Sequence, residues 1–215
     1  MASVGDLGPG LDEHELTGTK ARIAEAALEA LKTKGFAGSS AREIASVGNF
    51  NQALIFYHFG TVQNLLLAAL DLVSARRMHA YAPAFERART VSELASLARE
   101  IYAEDLENGY VTVLGEMVVG GISNAELGAE VVARLQPWIE MVEGKLRQLV
   151  AGSPFALLIP PRDVAFAIIA LYLGMDMLGH LEGDHARSRS LLDLGVRYAP
   201  LVGTLLAFEQ GEEPR

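Results

Sequence analysis

Apolar positions recur every three to four residues along most of the chain, while alternating β-branched runs bounded by tight turns do not occur, so the pattern predicts an all-α protein. In the first segment, residues 19–34, Ile23, Ala27, Ala30 and Leu31 share one face, and Gly35 supplies a left-handed stop. A short second helix over residues 41–47, capped by Ser39 or Ser40, turns Ile44 and Ala45 inward and Arg42 outward. Gly48 and Asn49 tolerate positive φ, which lets the chain turn sharply. A third short helix over residues 52–59 follows, capped by Asn51 and ended by Gly60. Thr61 caps a fourth helix that runs from Val62 to about Tyr81, where Pro83 closes it.

Two capping boxes mark later starts. Thr90-Val-Ser-Glu93 opens a helix to about Asn108, and Ser123-Asn-Ala-Glu126 opens one to about Val150, kinked at Pro137. Between them residues 110–122 read as helix. Residues 152–161 read as a loop, 162–181 as a helix with Asp163 in its first turn, and 183–185 as a break. The last helix, residues 186–209, spaces Leu191, Leu194, Tyr198, Leu201, Leu205 and Phe208 by three or four, and residues 210–215 fray. About nine helices result. The longest apolar stretch, residues 164–174, is about half of the ~20 residues a membrane span needs, so no membrane is expected as a partner.

Composition narrows this without changing it. With 215 residues, 50% of them hydrophobic, the chain can bury a sizeable core, and the absence of cysteine excludes disulfide scaffolds, thiolate zinc sites and a cysteine nucleophile. Residues 1–18 carry four acids and no apolar export core, so a disordered tail and a cytoplasmic location are expected. The net charge of -9 argues against a surface that coats nucleic acid, but it is unevenly placed. Residues 1–16 hold -4, residues 66–215 hold -7, and residues 17–65, with five bases against three acids, hold +2. A contact to phosphate belongs in that block.

Two short helices joined by a tight turn, preceded by a packing helix, are what a helix-turn-helix DNA reader requires. Arg22, Ile23, Ala27 and Gly35-Phe36, then Arg42 and Ile44-Ala45, then Phe56-Tyr57-His58-Phe59-Gly60 and Leu65 carry a resemblance. Over about the first 65 residues the chain resembles the DNA-binding domain of the tetracycline-repressor (TetR) family. The remaining residues resemble that family in length and helical pattern. The resemblance implies a three-helix domain over residues 19–65 and a ligand-binding and dimerisation domain over residues 66–215.

It also implies that Ser40 and Arg42 reach a phosphate or base edge, that Asn51, Gln52 and Leu54 lie at the reading surface, and that His58 donates to phosphate. The phosphate-gripping Tyr of the family is Phe56 here, with Tyr57 beside it, and the Lys usual at the start of the fourth helix is Val62. The turn's Ala-Gly pair is Gly48-Asn49, and the recognition helix carries no Lys or Arg. Of the helix ending, Phe59 is expected in the core and Tyr57 with His58 at the surface.

In the second half Glu116, Met117, Trp138, Met141, Tyr172, Met175, Asp176 and His180 are the candidates for an effector pocket, apolar groups with a few polar ones to orient a ligand. The same residue types at helical spacing also make ordinary core. Asp176 and His180 stand at i, i+4, yet two groups without a third make no metal site, and neither metal nor cofactor is expected. No Ser-His-Asp spacing, glycine-rich phosphate loop or His-Glu-x-x-His occurs, so no enzyme is expected. The last two helices are apolar enough to form a four-helix interface between two subunits, which would explain the positive mean hydropathy. The expected function is a homodimeric, ligand-responsive transcriptional regulator, a repressor released from a palindromic double-stranded DNA operator by a small apolar effector. The alternative is a helical small-molecule-binding protein or bundle enzyme that has lost DNA binding, with Glu116 or Asp176 as acid or base.

Overall fold

The computed structural model describes residues 18–151 and 160–207, and among these every regular element is an α-helix. Of the tail expected over residues 1–18 all but Gly18, most of the loop expected over residues 152–161, the last two residues of the helix expected to 209, Phe208 included, and the fray expected over residues 210–215 lie outside the described residues. The helices are α1 (Thr19–Gly38), α2 (Ala41–Val47), α3 (Ala53–Phe59), α4 (Val62–Arg87), α5 (Val91–Glu107), α6 (Tyr110–Ser123), α7 (Ala125–Val150), α8 (Pro161–Glu182) and α9 (Ala186–Ala207). They group into two compact units, Met1–Ala80 with Asn108–Pro137, and Tyr81–Glu107 with Trp138–Arg215.

In the first unit α1 buries Ile23, Ala24, Ala27, Ala30 and Leu31, the face that its spacing predicts, and α2 adds Ile44 and Ala45. Each fully buried Ile or Leu stabilises by ~2 kcal/mol, so this small stripe is enough to seat a seven-residue helix that could not stand alone. The α1 stop is a break rather than an end. Gly35 has φ 69 and ψ -178, open to glycine alone, and one further turn follows to Gly38. That break turns the Phe36 N–H toward α6, where Glu116 Oε2 accepts it at 2.6 Å. The Phe36 ring lies over Gly120, where a Cβ would come within 2.8 Å of it, so the Gly120-Gly121 pair is a packing device. Gly121 does the same for α7, approaching Gly128. Arg134 of α7 grips Asp71 of α4 with two bonds, Nε to Oδ1 at 2.7 Å and Nη2 to Oδ2 at 3.1 Å.

The second unit closes over Tyr81, Phe85, Ile101, Val142 and Ala165, with Leu97, Trp138, Met141 and Ile168 packed against them. Here α4 continues through Pro83 to Arg87, past the expected stop. Pro83 sits on the exposed side while Tyr81 and Phe85 are buried around it, so the lost backbone bond faces water and the last turn keeps its anchors. Lys145, itself buried, donates to the carbonyls of Glu86 at 3.3 Å and Ala88 at 3.1 Å, groups that the helix end leaves unpaired.

The first capping box is observed: Thr90 Oγ1 accepts from Glu93 N–H at 3.1 Å, and Glu93 Oε2 accepts from the Thr90 N–H at 3.1 Å. The second is displaced by one residue. Asn124, not Ser123, caps α7 by accepting from Glu126 and Leu127, while Ser123 Oγ donates to Gly120 O and closes α6. The Asn carboxamide reaches the N–H groups two and three residues on, so it wins the cap once α6 runs to Ser123.

Candidate nucleic-acid interface and effector region

Ser40 has extended backbone and its Oγ accepts from Glu43 N–H at 3.2 Å, which fixes the start of α2 and leaves Arg42 exposed in its first turn. Ser39 is the buried one of the pair, donating to Gly35 O at 2.7 Å. At the turn Asn49 takes the positive φ, 50°, whereas Gly48 is right-handed and is needed for room, since a Cβ there would meet the Phe50 ring at 2.2 Å. Asn51 Oδ1 then accepts from Ala53 N–H at 2.9 Å and starts α3. Asn51 is exposed, but its carbonyl is engaged by the backbone.

Ile55 is the one fully buried residue of α3, so most of that helix is displayed. Gln52 and Tyr57 are exposed, Tyr57 at 82%, and Leu54 is half-buried. His58 and Phe59 are both half-buried, which corrects the placing of Phe59 in the core: seven residues offer one inward position, and Ile55 holds it. Tyr57 and His58 meet edge to face at 4.8 Å. Arg42 and Gln52 line one open cleft of about 510 Å3 with Ala45, Ser46, Asn49 and Phe50, whereas Ser40, Leu54, Tyr57 and His58 lie outside that lining. A guanidinium and a carboxamide at one cleft suit phosphate and an adenine edge.

The effector candidates divide. Glu116 and Met117 belong to the first unit, Glu116 bound to Phe36 and Met117 fully buried. Trp138 and Met141 pack against the second unit's core. Tyr172 donates to Asp105 Oδ2 at 2.6 Å, Met175 and Asp176 are buried, and His180 is exposed. These last four share α8, and the structure surrounds them with polar groups that sequence reasoning passed over. Asp105 is fully buried and also accepts from Tyr81 at 3.5 Å. Tyr102 stands edge to face with Tyr172 at 5.5 Å, and its Oη lies 3.0 Å from His185 Nδ1, a bond whose direction follows the tautomer. Burial pushes the Tyr102 phenol up and the His185 imidazole down, and His180 and Arg189 push His185 the same way. One signal was legible: Ile101 and Asp105, at i, i+4 on α5, put an acid in an apolar stripe.

Residues 23–69 match the profile of the bacterial regulatory proteins of the tetR family. The head is that of a tetR-family regulator. No curated protein sequence matches the chain. Among solved structures, the fatty acid degradation regulator FadR of Bacillus halodurans is similar with TM-score 0.72 and 15% identity, over 91% of this chain and 99% of that one. FadR of Bacillus subtilis, solved in complex with stearoyl-CoA, gives 0.69 and 14% over 83% and 96%. GusR of Salmonella enterica gives 0.67 and 17% over 90% and 97%. At such identities the likeness establishes the fold, and the tetR profile over residues 23–69 marks the head as that of a transcriptional regulator. In this tetR-type head Phe56 is half exposed and Val62 half-buried, both without a hydrogen-bond donor in the side chain.

Proposed function

We propose that this regulator is a homodimeric repressor whose two heads read the half-sites of an inverted repeat, with α3 in the major groove. The observation that carries the reading is the display of α3 beside Arg42: a helix with one buried residue, with Gln52 and Tyr57 exposed and Leu54 and His58 half-buried beside them. Gln52 pairs with an adenine edge, Leu54 meets a thymine methyl, and Ser40, Arg42, Tyr57 and His58 hold phosphates, with Asn51 setting the helix start. A DNA reader of this kind works in the cytoplasm.

Dimerisation is supported by two stripes. α8 exposes Phe166, Leu171, Met177, Leu178 and Leu181, and α9 exposes Leu191, Leu194, Tyr198, Leu201, Val202 and Leu205, large apolar side chains that an interface between two copies would cover. By length and composition α8 could also cross a membrane. We read its outer face as subunit interface, because Tyr172 and Asp176 mark the other face as the wall of a polar cluster. The effector is a small, largely apolar molecule met in the second unit by Trp138, Met141, Tyr172 and Met175, with Asp176 and His180 as polar contacts. The stearoyl-CoA complex of the B. subtilis structure supports an apolar ligand on this fold.

Selection from random double-stranded DNA at low and moderate salt tests the reading. An inverted repeat is expected, with Gln52→Ala changing the preferred base and Arg42→Ala weakening all sequences alike. The salt dependence is expected to be shallow, since few cations face the DNA. No enrichment would leave the helical small-molecule-binding alternative standing.

A further inference from the structure

The α8 pair Asp176 and His180 gains a third member in space. Gly183 ends α8 with φ 75 and turns the chain back, and His185, two residues on, returns against α8 beside Gly179. A Cβ at Gly179 would come within 2.1 Å of His185 Nδ1, so this approach requires glycine. One donor atom from each of Asp176, His180 and His185 then lies within 4.8 Å of the others, and His180 Nδ1 is 3.4 Å from Asp176 Oδ1.

We propose that Asp176, His180 and His185 bind a divalent transition-metal ion of the zinc class. Two imidazoles and one carboxylate are a common zinc donor set, and bonds of about 2.0–2.2 Å in a tetrahedron put donors about 3.4 Å apart. The Asp176–His180 pair is at that spacing already. His180 is about half exposed and supplies both the entry path and the freedom to close the remaining gap. Asp176 is 2% exposed, a carboxylate held in the interior where a cation offsets its burial. Tyr102 Oη lies 3.0 Å from His185 Nδ1 and holds the ring in place, as outer-shell partners hold ligating imidazoles. Three protein ligands leave one position for water or an effector oxygen. The site joins the end of α8 to the segment that opens α9, and it is independent of whether the head binds DNA.

Full-length protein stripped by a chelator and titrated with Zn2+ against a chromophoric competitor, with no DNA present, tests this. One ion per chain is expected, with His180→Gln and His185→Gln each weakening binding by more than about tenfold and Tyr102→Phe by about tenfold. A triple change of His14, His58 and His79 to Gln is expected to leave the affinity unchanged. His180→Gln, at an exposed position, is expected to melt as the wild type does without metal. Co2+ in place of Zn2+ is expected to give the visible absorption of a tetrahedral site, lost in His180→Gln. Failure to bind at stoichiometric Zn2+, binding that survives both single changes, or binding lost in the triple variant overturns the proposal and leaves a hydrogen-bonded cluster.

Discussion

Arg134 and Asp71 show how far one pair can decide a stability profile. Their side chains are 15% and 4% exposed, and burial raises the Asp71 carboxyl above its ordinary 3.8 while Arg134 pulls it down by hydrogen bonds and charge. In Arg134→Met the downward pull is gone and the folded-state value rises further. The folded protein then holds a proton that the unfolded chain releases, so stability falls as pH rises from 3.8 through the new value. Chemical denaturation is expected to show a loss of ~3 kcal/mol near neutral pH that shrinks toward pH 4. Neither residue was singled out from sequence, because an Arg and an Asp 63 positions apart announce nothing until α4 and α7 bring them together. Glu116 is the opposite case. It was singled out as a ligand contact, and the fold gives it the Phe36 N–H instead, a bond that exists because Gly35 breaks α1.

Helix starts and stops were largely legible, since caps act over three or four residues and the chemistry is local. Ser40, Asn51, Thr61 and the Thr90–Glu93 box each start a helix. Besides the α1 turn beyond Gly35, two departures arise where neighbours compete. Asn124 displaces Ser123 because α6 claims Ser123, and α4 outruns Pro83 because buried Phe85 holds the turn beyond it. Asn124→Ala is therefore expected to cost ~1 kcal/mol in denaturant unfolding, whereas Ser123→Ala leaves the α7 start intact and costs less. The reverse order would restore the Ser123 cap.

On the proposed reading the apolar stripes on α8 and α9 pair with those of a second copy of the chain. Leu178→Glu with Leu201→Glu places charges in both stripes at positions each 61% exposed, where a single chain has little to lose. Light scattering is expected to show dimers for the wild type and monomers for the double variant, with operator binding lost because one head spans only one half-site. Dimers that persist would place the interface elsewhere.

Periodicity, caps and turn residues act within a few positions, so the helical class, nearly every boundary and the helix-turn-helix with its exposed Arg42 and Gln52 could be read from the chain alone. The uneven charge could be read the same way, a +2 head inside a -9 protein. Which polar groups share a site is a matter of contacts between helices far apart in sequence. Asp105 with Tyr172, Tyr102 with His185 and Glu116 with Phe36 are joined across 67, 83 and 80 positions. No local pattern encodes such distances, and it took the packing of α5 with α8 and α9, and the backward turn at Gly183, to bring His185 to Asp176 and His180.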